Sequence, residues 1–253
     1  MILDKFKLDG KVALVTGASA GLGQAIAVAF AEAGADVACH GNTRAADATC
    51  EAVARLDRKA FSVTGDLSDR QTPRVLIEET IKHFGRLDIL VNNAGTIRRV
   101  PAVDYSEADW DIVIQVNLSS VFSLSQLAGR HMLERGRGKI LNIASLLAFQ
   151  GGITVPAYAA SKGGVVQLTK ALANEWAAKG INVNAIAPGY MRTDNTSALQ
   201  KDEARNRQIL ERIPAGRWGE PADLAGAAVF LCSAASDYIH GHVLVVDGGW
   251  MGR

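Results

Sequence analysis

The sequence predicts an α/β protein, a single doubly wound domain over residues 1–253. Its sheet is expected to be seven-stranded and parallel, with helices on both faces. Three observations carry this expectation. Short β-branched runs recur along the chain, each followed by a helical stretch. Several of those runs are apolar at successive positions, as strands covered on both faces are. A glycine-rich turn also sits between the first run and the first helix.

The strand runs come in order: "KVALVTG" (11–17), "ADVAC" (35–39), "AFSVTGD" (60–66), "LDILVNNAG" (87–95), "KILNIAS" (139–145), "INVNAIAPG" (181–189) and "HVLVVDGG" (242–249). The helical pattern over 22–34 places Ile26, Phe30 and Ala33 near one face, with Gly34 as its stop. Long helices are expected near 106–135 and 156–179. The apolar stretch 224–235 is shorter than the roughly 18 residues that span a bilayer, so it reads as a buried helix. Segment 190–221 breaks the rhythm. It is polar and longer than an ordinary connection, which suits either a substrate lid or a solvated surface helix.

Composition narrows the function. Hydrophobic content of 48% and charged content of 21% belong to a globular chain, and a net charge of +1 gives no reason to expect nucleic acid or an acidic membrane as partner. Cys39, Cys50 and Cys232 have no metal-ligand spacing, and no metal is expected; reduced thiols and a cytoplasmic setting are. The opening "MILDKFKLDGK" carries no signal-peptide core.

The turn "TGASAGLG" (16–23) stands where a Rossmann-type fold binds a dinucleotide pyrophosphate. Gly17 permits the tight turn, Gly21 the close backbone approach and Gly23 the packing of helix against strand. Asp66 offers a carboxylate to an adenine amino group, and "NNAG" (92–95) closes the fourth strand with two amides. In "YAASK" (158–162), Tyr158 and Lys162 lie four apart and share a helix face. A phenol ordinarily titrates near pH 10, and a neighbouring cation is expected to favour its ionised form.

Taken together, "TGASAGLG", Asp66, "NNAG", Asn117, Ser145, "YAASK" and "PG" at 188–189 resemble, over essentially the whole chain, the short-chain dehydrogenase/reductase family. The resemblance implies hydride transfer between a nicotinamide and a hydroxyl or keto carbon. It implies catalytic roles for Asn117, Ser145, Tyr158 and Lys162: Tyr158 as proton carrier, Ser145 as donor to the substrate oxygen, and Lys162 as binder of the nicotinamide ribose. Asn117 is expected to bend its helix and help hold a relay water. Cofactor contacts are implied for Gly17, Ser19, Gly21, Leu22, Gly23, Asn42, Asp66, Leu67, Asn93, Ala94, Gly95, Pro188, Gly189 and Thr193, besides Tyr158 and Lys162. Thr193 reads equally as a helix N-cap. For NAD against NADP the sequence departs from both patterns. Gly41 replaces the acidic residue that accepts from an adenosine ribose, Arg44 is nearby, and Ala20 stands where many NADP enzymes carry a basic residue. Use of either cofactor, with tolerance of NADP, is expected.

Longer strings such as "NNAGTIRR", "SLLAFQGG" and "RIPAGRWGEPADL" resemble a subgroup acting on deoxy sugar acids of uronate breakdown. A sugar-acid carboxylate calls for a cation, and Arg98, Arg99, Arg192 and Arg217 are candidates. Arg98, Gln150, Ser145 and Tyr158 are the expected substrate contacts. A carrier-protein reductase is the alternative and would present basic residues beside the site; a non-catalytic dinucleotide-binding scaffold is the third. The family resemblance also implies a homotetramer through the two long helices, with the tail "GGWMGR" against a neighbouring subunit.

Overall fold

The computed structural model describes residues 1–253 and forms one seven-stranded sheet in the order β3-β2-β1-β4-β5-β6-β7, every adjacent pair parallel. The strands are β1 (Val12–Val15), β2 (Asp36–Gly41), β3 (Ala60–Thr64), β4 (Ile89–Asn92), β5 (Gly138–Ile143), β6 (Ile181–Pro188) and β7 (Val243–Val246). The helices are α1 (Gly21–Glu32), α2 (Asp47–Ala54), α3 (Thr72–Phe84), α4 (Glu107–Ile114), α5 (Ser120–Glu134), α6 (Pro156–Trp176), α7 (Ser197–Lys201), α8 (Glu203–Arg212) and α9 (Ala225–Cys232). Each of the seven expected strands is present. β2 runs two residues past its expected end, because His40 and Gly41 still pair with Val63 and Thr64.

The sheet separates two apolar layers. On one side Ile26 and Phe30 of α1 pack with Leu224, Leu231 and Cys232 beneath alternate side chains of β1 and β2. On the other, Leu76 of α3, Leu124 and Met132 of α5 and Trp176 of α6 pack together. All eight residues of β6 are buried, which is why its sequence does not alternate. Gly34, at φ +106°, ends α1 by closing the chain back, with Ala35 N–H donating to Phe30 O at 2.9 Å.

Residues 107–134 form a nearly continuous helix, broken into α4 and α5 by a π-turn at Gln115–Ser119. By length and composition alone this run is apolar enough to cross a membrane, a point the sequence expectation did not register. Its Val121, Leu124, Ala128 and Met132 are instead buried within the fold. Segment 190–221 is not a solvated helix. Ile209, Ile213 and Trp218 bury themselves with Leu146 and Trp250 in a small core of their own. Trp250 therefore packs inside its own chain, under Arg212 at 4.1 Å and beside Tyr190. The tail's tryptophan is not left free for a neighbouring subunit, contrary to expectation; burying a large aromatic against nearby apolar surface within the chain accounts for it.

At the amino edge of the sheet Asp88 ties three elements together. Its carboxylate accepts from Val12 N at 2.9 Å, from Arg86 Nε at 3.0 Å and from Arg135 Nη2 at 3.0 Å. Removing it would strand the Val12 N–H and two guanidinium groups. Asp88→Ala is expected to lower unfolding free energy by about 3 kcal/mol, read from urea titration; a loss under about 1 kcal/mol would mean that the network is solvated and weak.

Candidate active site

The carboxyl ends of the strands meet a cavity of about 580 Å³ at the β1/β4 switch point. The turn after β1 supplies its floor. Gly17 and Gly21 adopt φ +65° and +58°, a backbone region that glycine enters without penalty. A side chain at Gly17 would meet Ala94 Cα and Asn93 Nδ2 at 3.0 Å, and one at Gly23 would meet the Gly17 carbonyl and Asn93 Nδ2. So the loop, α1 and the end of β4 are in near-contact. No side chain caps α1 and no acidic residue lies in its first turn. Its free N–H groups suit an anion, and the residues present fit a dinucleotide pyrophosphate.

Thr16, which the reading of the sequence did not single out, locks this floor. Its Oγ1 accepts from Asn93 N at 2.9 Å and Ala94 N at 3.0 Å and donates to Val91 O. Asn93 Nδ2 donates back to the Thr16 and Gly17 carbonyls at 2.8 and 3.2 Å. Asn92 turns inward, to Ser125 and Asn142. Of the two amides in "NNAG", Asn93 lines the cavity and Asn92 serves the core.

Ser19, Leu22, Asn42, Asp66, Leu67, Ala94, Gly95, Pro188, Gly189 and Thr193 all reach the cavity wall. Gly23 and Asn117 stand behind it. Gly41 and Arg44 are not among the lining residues, so the adenosine end presents Asn42 and Asp66. Thr193 precedes a short 3₁₀ turn (Asp194–Thr196), and its N–H donates to Thr196 Oγ1 at 3.2 Å. Its methyl carbon would lie 3.6 Å from a Cβ at Gly21, so it flanks the glycine turn.

Ser145, Tyr158 and Lys162 converge on the opposite wall. Ser145 ends β5 and accepts from Leu147 N at 3.2 Å. Tyr158 and Lys162 share one face of α6, which begins at Pro156 and so fixes its first turn. Lys162 Nζ is buried, donates to Ile143 O at 2.6 Å and lies over the Tyr158 ring, 5.6 Å from its centroid. Burial pulls the lysine down to about 8. Burial also pushes the Tyr158 phenol up, outweighing the Ser145 hydroxyl and the Arg99 charge, which pull the other way. The lysine was expected to lower the phenol. It is not among the groups doing so, because its Nζ is aimed at a carbonyl over the ring face rather than at the hydroxyl.

Asn117 falls inside the π-turn, so the expected irregularity of its helix is present. Its Oδ1 accepts from Thr96 N at 2.8 Å, and its Nδ2 donates to Thr96 O at 2.9 Å and Ser161 Oγ at 3.2 Å. The side chain braces the loop after β4 against α6, and it has no polar atom left over for a water.

The arginines divide. Arg98 lines the cavity, with Nε 3.4 Å from Asp109 Oδ1 and Nη1 donating to Thr96 Oγ1 at 3.2 Å. Arg99 Nη2 donates to Asn195 O at 3.3 Å, linking the loop after β4 to segment 190–221. Arg192 pairs with Glu220 at 2.9 Å and Arg217 with Asp223 at 2.6 Å, and neither lines the cavity. Gln150, expected in the pocket wall, is not brought there. Its carbonyl oxygen accepts from Trp250 Nε1 at 3.3 Å, a partner that lies a hundred residues away in sequence. Met191, Asn195 and Thr196 reach the cavity instead. Nothing in local sequence marks them, since their placement follows from the fold of segment 190–221.

A glycine-loop dinucleotide site joined in one cavity to a serine, a tyrosine and a lysine defines an oxidoreductase acting on hydroxyl and keto carbons. The chain belongs to the short-chain dehydrogenase/reductase family. A family model described as enoyl-(acyl carrier protein) reductase matches residues 17–251. The chain is 54% identical over 254 residues to a 2-dehydro-3-deoxy-D-gluconate 5-dehydrogenase of Dickeya dadantii, covering 100% of both. It is 56% identical over 250 residues to one of Bacillus subtilis, covering 99% of this chain and 98% of that one. Among solved structures, an Agrobacterium tumefaciens protein described as a candidate 2-deoxy-D-gluconate 3-dehydrogenase, with bound NADP, superposes with a TM-score of 0.92 at 56% identity, covering 98% and 99% of the two chains. A gluconate 5-dehydrogenase of Burkholderia cenocepacia, in complex with NADP and tartrate, gives 0.93 at 41% identity with 100% of both chains covered.

Gly23→Ala is expected to weaken cofactor binding at least about tenfold, because the methyl can fit only if the loop or α1 moves. Gly226→Ala, with open space around it, serves as control. Equal affinity of the two variants in a fluorescence titration would contradict the near-contact of loop and helix.

Proposed function

We propose that the protein interconverts a hydroxyl and a keto group on a deoxy sugar acid, in the manner of a 2-dehydro-3-deoxy-D-gluconate 5-dehydrogenase, with NADP or NAD. The observation that carries this is Arg98 in the same cavity as Ser145, Tyr158 and Lys162. Relatives at 54–56% identity bear that activity in their names, and the Burkholderia structure carries tartrate, itself a hydroxy acid, together with NADP. NADP-bound neighbours, and the lack of a carboxylate at Gly41, support NADP use here.

When bound, the nicotinamide supplies or accepts the hydride. Gly17, Ser19, Gly21 and Leu22 would cradle the pyrophosphate, Asn42, Asp66 and Leu67 the adenosine, and Asn93, Ala94, Gly95, Pro188, Gly189 and Thr193 the nicotinamide end. In reduction the Tyr158 hydroxyl gives its proton to the substrate oxygen, and in oxidation the phenolate takes it back. Ser145 donates to that oxygen while charge builds on it. Lys162 holds the ribose hydroxyls, and Asn117 keeps the loop after β4 and α6 in register. A relay water would rest on the main chain opened by the π-turn. The Arg98 guanidinium, steadied by Asp109 and Thr96, takes the substrate carboxylate. Segment 190–221 closes over the substrate as a lid hinged beside Met191. Paired Arg192 and Arg217 offer no free basic platform, which weighs against an acidic carrier protein as substrate. We further propose a cytoplasmic homotetramer assembled through α4–α6, where Trp110 and Phe122 are exposed; a monomer in sedimentation equilibrium at micromolar concentration would defeat it.

Tyr158→Phe is expected to retain cofactor affinity and lose about a thousandfold in kcat; substantial residual turnover would sink the proton-carrier role. Arg98→Gln is expected to raise KM for the sugar acid about tenfold with kcat nearly unchanged, and an unaltered KM would move the carboxylate elsewhere. Because burial raises the Tyr158 phenol, the phenolate fraction grows as pH rises. Oxidation should therefore climb through the alkaline range, and a flat kcat profile there would contradict it.

A further inference from the structure

β2 ends beside a buried histidine that takes no part in the chemistry above. His40 is 1% exposed, yet its ring forms part of the cavity wall at the cofactor end. Gly17 N–H donates to Nδ1 at 3.2 Å, and Nε2 lies 2.9 Å from Gly65 O. A carbonyl can only accept, so Nε2 carries the proton and Nδ1 is bare. The two contacts together select the neutral Nε2–H tautomer. The backbone joins in, with Ala18 N–H donating to His40 O at 2.7 Å. One side chain thus bridges the turn after β1 and the turn after β3, the two turns that flank β2 in the sheet.

We propose that His40 is a positioning residue for the dinucleotide: as a neutral imidazole it fastens the glycine loop to the Gly65–Asp66 turn and holds the pyrophosphate and adenosine ends of the site in register. The proposal rests on the family's use of a dinucleotide and is independent of the substrate. Gly17 has no side chain to restrain it, and its turn is useful to an anion only when its neighbours' N–H groups are already aimed. The Gly17 N–H itself is consumed by the ring, so the contribution is placement rather than another donor to phosphate.

Protonation would undo the link, because a hydrogen on Nδ1 would point at the Gly17 N–H. Burial disfavours the imidazolium, outweighing the Gly65 carbonyl and the Asp66 carboxylate, which favour it. Asp66 is the charged group that reaches the ring. β1 brings Thr16 and Gly17, β3 brings Val63, and α3 buries Thr72, Pro73, Leu76 and Ile77 toward the sheet, none of which titrates. Cys39 faces the opposite side of the sheet, in the layer with Ile26 and Phe30. The ring therefore stays neutral at physiological pH and charges only as pH falls below its usual value of about 6.5.

The test is the Kd of NADPH, read by fluorescence from pH 5 to 8, for wild type, His40→Asn and His40→Leu. Asparagine keeps an acceptor and a donor but does not titrate. The 2′-phosphate of the ligand, with a second pKa of about 6, contributes equally to all three proteins and cancels in the comparison. At pH 7.5 the leucine variant is expected to bind about tenfold more weakly and the asparagine variant within about threefold of wild type. Below pH 6.5 wild type should lose affinity relative to the asparagine variant, while kcat at saturating cofactor stays unchanged in both variants. Wild-type affinity in the leucine variant, or parallel pH profiles for wild type and asparagine, would overturn the proposal. Should the variants fail to fold, the ring ¹⁵N shifts of wild-type His40 at pH 7.5 decide it: an unprotonated Nδ1 supports the link and a protonated one refutes it.

Discussion

The site depends on the hydrogen bonds that close the end of β1 onto the end of β4. A parallel doubly wound sheet leaves a crevice wherever its strand order reverses, and here that crevice opens between these two strands. Thr16 and Asn93 bridge it with paired backbone and side-chain bonds. The bridge sets where the glycine loop leaves the sheet, and hence where the first turn of α1 points. It also sets where Ala94 and Gly95 run, and Gly95 passes close to Asn117 and Lys162. The cofactor end and the catalytic end of one cavity thus share a support.

The catalytic wall is built by a second economy of contacts. α6 carries Tyr158 and Lys162, and three independent ties hold its first turns. Lys162 reaches the β5 carbonyl of Ile143, Ser161 accepts from Asn117, and Asn142 of β5 donates to Thr169 further along α6. The π-turn at 115–119 is what places Asn117 against both Thr96 and Ser161. A regular helix through this stretch would rotate Asn117 away from one of them. Burying lysine and tyrosine together depresses one group and raises the other, so both stand nearer the pH at which protons must move.

Much of this was legible in the sequence. Seven strands were readable because parallel strands covered on both faces are apolar throughout, and the glycine loop declared itself by its place after the first of them. Tyr158 and Lys162 were readable from helical spacing joined to a family resemblance. What escaped was long-range. His40 was missed because its strand was taken to end at Cys39, and a histidine gives no strand signal; only pairing with β3 extends β2 to Gly41. Gln150 looked like pocket wall by its position after Ser145, but a partner at Trp250 claims its side chain. Arg192 and Arg217 looked like clamps until the fold brought Glu220 and Asp223 beside them. Carboxylate partners that arrive from elsewhere in the chain leave no mark in local sequence.

The most direct test of the account is the loss of reduced-nicotinamide absorbance with the purified protein, NADPH and NADH, and two substrates side by side. One is 2,5-diketo-3-deoxygluconate and the other an acetoacetyl thioester. The account predicts turnover on the sugar acid, with NADPH accepted, and little on the thioester. Turnover confined to the thioester would contradict it, and Arg98 would then have to face something other than a sugar-acid carboxylate.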